Sequence, residues 1–123
     1  MDLATNLTGE YAAKTCCVLG VSGALVRNDR ATAAALTRAI VEASDFVADN
    51  PAETARIYSP YSKVPQSELR AVLGTLTHRS HPVGRALREE IEFYARDFKL
   101  VKVLKASTDP ARFAAHVFAD VLS

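Results

Sequence analysis

The sequence predicts a small, predominantly helical domain of about five helices, preceded by one or two short strands. Apolar residues recur at intervals of three and four along most of the chain, which is the period of an amphipathic helix. Residues typical of helix starts precede several of these segments. We expect one domain over residues 1–123, with an N-terminal extension at 1–15, a strand region at 16–27 and a helical region at 30–122.

The strand region is the segment CCVLGVSGALVR at residues 16–27. It combines apolar and β-branched residues with glycines, which indicates one or two short buried strands with a bend between Gly20 and Gly23. Cys16 and Cys17 are neighbours, and a disulfide between them would close almost no loop and would strain the backbone. We interpret both as free thiols that fill small spaces in a buried strand.

Two helices are predicted next. From Arg30 to Ala48 the chain carries an apolar stripe with helical spacing, and Asp29 is suited to cap it. The larger apolar residues of this stripe are Leu36, Ile40 and Val47. The second helix covers residues 51–58, where Asn50 provides a capping side chain, Pro51 stands at the first helical position and Glu53 completes a capping box.

Three further helices follow the proline-containing segment SPYSKVP. The third helix carries Leu69, Val72, Leu73 and Leu76 at spacings of three and four. The fourth covers about residues 85–98, with Glu92 and Arg96 placed to form an ion pair. Asp109 and Pro110 open the last helix. Its apolar stripe consists of Phe113, Val117, Phe118, Val121 and Leu122.

Composition narrows the classes of function. The chain has 15 basic and 14 acidic side chains and a formal charge of +1, and these charges alternate along the sequence. We expect no nucleic-acid partner and no attraction to an anionic membrane. No segment approaches the roughly 20 apolar residues of a membrane-spanning helix. Asp2 and Glu10 in the first residues do not fit a signal peptide, so we expect a cytoplasmic protein unless an export signal stands upstream.

Candidate chemistry is sparse. Adjacent cysteines on a strand point to opposite faces and cannot easily share a metal ion, although a thiol-dependent enzyme is an alternative. His78, Arg79 and His81 lie on a polar loop that is either simply exposed or contacts an anion. A structural zinc site needs about four ligands, and this loop does not supply them. We therefore predict no metal, no cofactor and no enzymatic activity.

Several segments resemble one protein family. The run CCVLGVSGALVRND, the alanine-rich helix after it and the segment ADNPAETARIY resemble the second-lobe region of solute-binding proteins of nitrate/sulfonate/bicarbonate-type ABC transporters. The C-terminal segment containing KASTDP is also similar to that family. The resemblance covers residues 10–122. It implies a predominantly helical fragment of an α/β family, namely part of the second lobe of a periplasmic binding protein-like fold, whose first lobe has no counterpart here.

The resemblance also implies a function. The chain would be the solute-binding component, or a fragment of one, of a transport system for a small anion such as nitrate, a sulfonate or bicarbonate. Its partners would be that anion and the ABC permease, and its compartment would be the periplasm. The candidate ligand-binding residues are Lys14, Thr15 and Cys16, where the family's chain leaves the ligand cleft, and His78, Arg79 and His81 on the polar loop.

The alternative is an interaction module or oligomerising domain derived from that fold, without ligand binding of its own. Removing the rest of a lobe leaves apolar surface that another chain can cover. This alternative predicts a homo-oligomer formed through exposed apolar surface.

Overall fold

The computed structural model describes residues 9–11, 14–15, 17–75 and 82–123, and these are predominantly helical, as predicted. The helices are α1 (Gly23–Asn28), α2 (Arg30–Asp49), α3 (Pro51–Tyr58), α4 (Gln66–Thr75), α5 (Gly84–Leu100) and α6 (Pro110–Val117). Short 3-10 helices occur at Gly9–Tyr11 and Ser59–Tyr61. No strand is present in these described ranges.

The chain divides into two compact units. The first comprises residues 1–37 and 81–123, and the second comprises residues 38–80. In the first unit α5 contacts α6, and in the second unit α3 contacts α4. The single domain expected over residues 1–123 stays a prediction, because compact units of this size also occur within one domain.

The strand prediction for residues 16–27 is corrected where the structure describes them. Gly23–Asn28 form helix α1, whose N-cap is Ser22. The Ser22 hydroxyl oxygen accepts a hydrogen bond from the Leu25 amide at 3.1 Å. The preceding Val18 is exposed rather than buried in a strand. Periodicity alone does not distinguish a strand from a helix in a short apolar run, and here the serine cap favours the helix.

Helix α2 begins where the sequence predicts it because Asp29 caps it. Asp29 Oδ1 accepts a hydrogen bond from the Thr32 amide at 3.0 Å, and the Thr32 hydroxyl donates to Oδ2 at 2.6 Å. The hydroxyl bond, and next the amide bond, hold the pKa of Asp29 below its ordinary value. The buried face differs from the predicted stripe, since Ala33 and Ala34 are buried while Leu36 is exposed.

Helix α3 starts at Pro51 as predicted, but the Asn50 side chain does not cap it. Asn50 Nδ2 instead donates a hydrogen bond to the carbonyl oxygen of Phe46, 3.0 Å away at the end of α2. Glu53 binds the Arg56 guanidinium through two hydrogen bonds of 2.8 and 2.6 Å. The predicted capping box is therefore wrong, because both side chains have partners that compete with the helix start.

Helices α4 and α5 agree with the sequence prediction. Helix α4 contains three of the predicted apolar residues, Leu69, Val72 and Leu73, whereas Leu76 lies outside the described residues. Helix α5 contains the whole predicted segment, and the predicted ion pair between Glu92 and Arg96 is present.

Helix α5 ends in a Schellman motif with a lysine where glycine is usual. The Lys102 amide donates to the Lys99 carbonyl oxygen at 3.2 Å, and the Val103 amide donates to the Phe98 carbonyl oxygen at 2.8 Å. These two bonds require Lys102 to adopt the left-handed conformation, with φ at 62°. A side chain with a Cβ atom is disfavoured there.

Helix α6 begins as predicted, because Asp109 Oδ1 accepts a hydrogen bond from the Arg112 amide at 2.7 Å. The helix ends at Val117, and Phe118 has extended backbone angles. Val121, which the sequence placed on the same helical stripe, is nevertheless buried. The predicted stripe is thus divided between α6 and the C-terminal tail.

The buried core of the first unit is small. Among the described residues it comprises Ala33, Ala34, Ala95, Ala114 and Val121. Ala33, Ala34 and Val121 form one cluster, against which Leu25, Val26 and Leu122 pack. The Arg30 guanidinium fixes the tail beside this core by donating hydrogen bonds to the Asp120 carbonyl oxygen and to Ser123 Oγ. In the described part of the second unit, Ala55 is the buried residue.

Replacing Lys102 with glycine should stabilise the protein. Glycine adopts positive φ without a steric cost, and this gain exceeds its larger entropy loss on folding, so we expect the free energy of unfolding to rise by about 0.5–1 kcal/mol. Urea unfolding followed by circular dichroism measures the change. The matched control is Lys105→Gly at a position without positive φ, which should not stabilise the protein. Equal or lower stability of Lys102→Gly would contradict the prediction.

Candidate functional site

Three described residues near the start of the chain, called here the N-terminal segment, lie against helix α5: Tyr11, Lys14 and Thr15. The Tyr11 hydroxyl donates a hydrogen bond to Asp97 Oδ2 at 2.8 Å, and the Thr15 amide donates to Glu90 Oε2 at 2.9 Å. Glu90 and Asp97 are seven residues apart on α5, which is two helical turns, so they lie on one side of the helix. Two carboxylates of α5 therefore anchor the segment.

Aromatic rings strengthen this contact. The Tyr11 ring meets Phe93 edge-on with centroids 5.8 Å apart and stacks on Tyr94 at 6.3 Å. Tyr94 also contacts Phe98, with 6.4 Å between ring centroids. Aromatic pairs at these separations add about 0.5–1.5 kcal/mol each beyond the area that they bury. The segment thus covers part of an aromatic face of α5.

Charges at this contact are arranged around the carboxylates. The hydrogen bond to Asp97 is the main cause that raises the pKa of Tyr11 above its ordinary value, because it stabilises the protonated hydroxyl. The Lys14 ammonium lies 5.1 Å from the centroid of the Phe93 ring, within the range of a cation–π interaction. Thr15 Oγ1 is buried without a hydrogen-bond partner.

Only part of the predicted ligand-binding set can be placed. Lys14 and Thr15 lie together on α5, whereas Cys16 and the loop residues lie outside the described residues. Those loop residues are His78, Arg79 and His81. The neighbouring Cys17 is exposed, which corrects its interpretation as a buried filler.

Sequence analysis missed the α5 carboxylates at this site. Glu90 and Asp97 belong to a helix rich in acidic and basic residues, where solvated charges are the ordinary expectation. The spacing of seven residues between Glu90 and Asp97 places both on one side of α5, but it does not indicate which residues contact that side. The contacts span 75 and 86 residues of sequence, and no local pattern encodes such a pairing.

An open depression of about 420 Å³ lies at the start of α6. Its lining includes both signs of charge, from Asp109 and Arg112, and His116 stands one turn after Arg112. The Asp109 carboxylate already accepts the Arg112 amide as the helix cap. The geometry of the depression therefore gives no reason for it to prefer an anion.

The described residues contain neither a metal-binding cluster nor a membrane-spanning helix. Within them, no group of three or more histidine, cysteine, aspartate or glutamate side chains is arranged to hold a metal ion. None of the helices in those ranges combines the length and the apolar character needed to cross a bilayer.

No protein-family model matches the chain, and comparisons with curated proteins and with solved structures found no match either.

The contact between Tyr11 and Asp97 predicts a pH dependence at alkaline pH. Folding raises the pKa of Tyr11, so the folded state binds the proton more tightly than the unfolded state. The resulting stabilisation is complete below the ordinary tyrosine pKa of about 10 and is lost as pH rises through the folded value.

Asp97→Asn should remove the coulombic part of this effect and let Tyr11 ionise at lower pH. Ultraviolet titration of the phenolate band measures this, with Tyr11→Phe identifying the signal of Tyr11 among the four tyrosines. Glu89→Gln changes the charge of the same helix equally, at a residue that pairs with Arg85 and is not among the causes of the Tyr11 pKa shift, and serves as the control. An unchanged titration curve in Asp97→Asn would contradict the prediction.

Proposed function

We propose that this chain is an interaction module that self-associates through apolar surface of its second unit. The supporting observation is the contrast between its small interior and its large exposed apolar side chains. In the described part of that unit, Ala55 is buried, while the exposed large apolar residues are Ile40, Phe46, Ile57, Tyr58, Tyr61, Val64 and Val72. A unit of this size rarely folds stably on so small a core.

Four of these residues are close in sequence and are called here the tyrosine patch: Ile57, Tyr58, Tyr61 and Val64. It follows the end of α3 through the 3-10 helix, and Tyr61 is 81% exposed. Tyrosine is enriched at protein interfaces because it combines large apolar area with a polar hydroxyl and few rotatable bonds. The patch has the composition of an interface centre.

The exposed area is of the size that a stable dimer needs. The seven side chains together leave on the order of 700 Å² exposed. This area takes about 150–250 Å² for each fully exposed aromatic side chain and somewhat less for the others, each reduced to its exposed fraction. A standard interface buries about 800 Å² on each partner. Full burial of these side chains would approach that value.

Charge favours a second copy of this chain as the partner. Residues 38–75 carry four basic and five acidic side chains, so two copies repel each other little. Glu53 and Arg56 beside the patch already neutralise each other in an ion pair of 2.6 Å. Lys63, between Tyr61 and Val64, adds one positive charge, which is too little to select a strongly acidic partner instead.

The double substitution Tyr58→Ser/Tyr61→Ser should weaken self-association at least tenfold, because tyrosines at an interface centre contribute about 1–2 kcal/mol each. Sedimentation equilibrium of the full chain, with monomer at low concentration and dimer at about 100 μM, measures the dissociation constant.

The control is Leu100→Ser, which removes an equally exposed apolar side chain from the first unit and should leave the dissociation constant within about twofold. A strictly monomeric wild-type chain at the highest concentration would contradict self-association. So would equal dissociation constants for the tyrosine variant and the control.

We infer a second candidate function, binding of a small anion at Lys14 and Thr15. In its favour, the Thr15 amide holds a carboxylate oxygen of Glu90 at 2.9 Å, with the Lys14 ammonium on the neighbouring residue. An amide and an ammonium are groups that recognise nitrate, sulfonate or bicarbonate. Such a ligand would have to displace the Glu90 carboxylate from the Thr15 amide. Delivery of the anion to a permease rests on the sequence resemblance.

Glu90→Ala should therefore increase anion affinity by about fivefold or more, since it frees the amide and removes a nearby negative charge. Isothermal titration with nitrate, bicarbonate and a short sulfonate measures it. Glu89→Ala makes the same change one residue away, where the side chain pairs with Arg85 at 2.6 Å, and is the matched control. No detectable heat with either variant at millimolar anion would count against this function.

A further inference from the structure

The segment after α5 contains an unusual cluster, called here the basic apolar turn and defined as residues 99–105. Its sequence is KLVKVLK, with lysines at every third position. Three of its apolar side chains project into solvent: Leu100, Val101 and Val103 are 80%, 67% and 68% exposed. Isolated exposed apolar residues are ordinary, but three large ones on one turn are not.

The positive charge of this turn is not balanced by neighbours in sequence. No acidic residue stands between Asp97 and Asp109. Asp97 accepts the hydrogen bond from Tyr11, and Asp109 caps α6. Neither flanking carboxylate forms an ion pair with the lysines among the described contacts. The turn therefore presents three positive charges together with its apolar side chains.

Helix capping explains only part of this composition. A basic residue near a helix C-terminus interacts favourably with the helix dipole, which accounts for Lys99. The same effect does not require a lysine at position 102, where φ of 62° favours glycine, and it does not reach Lys105. Lys102 thus has a strained backbone conformation in an exposed, charged turn, which indicates a role other than folding.

We propose that the basic apolar turn binds the surface of an anionic lipid bilayer. The lysines contact acidic headgroups, and the exposed apolar side chains enter the boundary between headgroups and acyl chains. A bilayer fits better than an acidic protein because Leu100, Val101 and Val103 project from a turn, and a protein partner would need a concave site to receive them. The chain lies on the membrane without crossing it.

At a membrane surface the local charge of the turn matters more than the overall charge of the chain. A formal charge of +1 over the whole chain indicates no attraction to anionic lipid, but attraction acts over about a Debye length of 8–10 Å. Only the charges near the contact matter at that range. Three lysines within seven residues produce a local positive field that the net charge of the whole chain does not reveal.

Vesicle co-sedimentation of the full chain tests the proposal. Binding to vesicles of equal parts phosphatidylcholine and phosphatidylserine should exceed binding to pure phosphatidylcholine on the order of 100-fold, since each lysine contributes roughly fivefold. About 0.5 M salt should remove most of this difference by screening. Equal binding to both vesicles, or no binding to the anionic ones at low salt, would overturn the proposal.

Substitutions separate lipid binding from folding. Lys102→Gly should weaken vesicle binding roughly fivefold while the protein becomes more stable, so misfolding cannot explain the loss. Leu100→Ser/Val103→Ser should weaken it at least tenfold. The matched controls are Lys63→Gln for charge and Val18→Ser for exposed apolar area, both outside the turn, and each should stay within about twofold of wild type. Equal losses in the controls and the turn variants would overturn the assignment.

Insertion can be observed directly because the chain contains no tryptophan. In Val103→Trp the single indole should shift its fluorescence to shorter wavelength with anionic vesicles and be quenched by brominated acyl chains. Soluble polyglutamate, which offers the same negative charge without an acyl boundary, should produce neither effect. Binding to polyglutamate without any response to vesicles would show an acidic protein partner and would overturn the membrane proposal.

Discussion

The structure depends on the small size of its buried residues. Nearly all of those in the described ranges are alanines: Ala33, Ala34, Ala55, Ala95 and Ala114. Alanine lets helices approach closely, but each methyl group contributes only about 0.8 kcal/mol, against about 1.5–3 kcal/mol for a fully buried leucine or phenylalanine. Close contact between helices is achieved at the expense of apolar burial. The large apolar side chains consequently remain near the surface.

Segments outside the helices partly compensate for this interior. Tyr11 covers the aromatic face of α5, and the C-terminal tail places Val121 in the first core while Arg30 holds it there. Tyr11 and the C-terminal tail are thus held by contacts distant in sequence. The second unit has no such segment among its described residues, and Ala55 is the one buried residue there. That difference is why self-association is assigned to the second unit rather than to the first.

The sequence predicted features that depend on neighbours within about four residues. Asp29, Pro51 and Asp109 mark real helix starts because the capping atom and its amide lie within one turn. Prediction was wrong where two local partners compete, as for Asn50, which binds back to α2. It was also wrong at Gly23–Asn28, where apolar and β-branched residues suggest a strand but the Ser22 cap gives a helix.

The candidate site was less predictable for a different physical reason. Its defining bonds join Tyr11 to Asp97 and Thr15 to Glu90. Nothing about an exposed glutamate on a charged helix distinguishes one that meets a distant amide from one that meets water. The sequence singles out Lys14 and Thr15, and their role in ligand binding stays a prediction. It could not show that the chain provides its own carboxylate there.

The basic apolar turn shows how averaging over a chain loses physical information. In the composition, the three lysines of residues 99–105 are part of a nearly balanced total charge. Electrostatic attraction, however, decays within about 10 Å. Hydrophobic transfer likewise depends only on the side chains that are exposed. Folding places Leu100 and Val103 in solvent beside those lysines, and it does so through a Schellman motif that holds Lys102 in a strained conformation. The motif would form more readily with glycine. That a lysine occupies it is therefore better explained by the surface that the turn presents than by the helix that the turn ends.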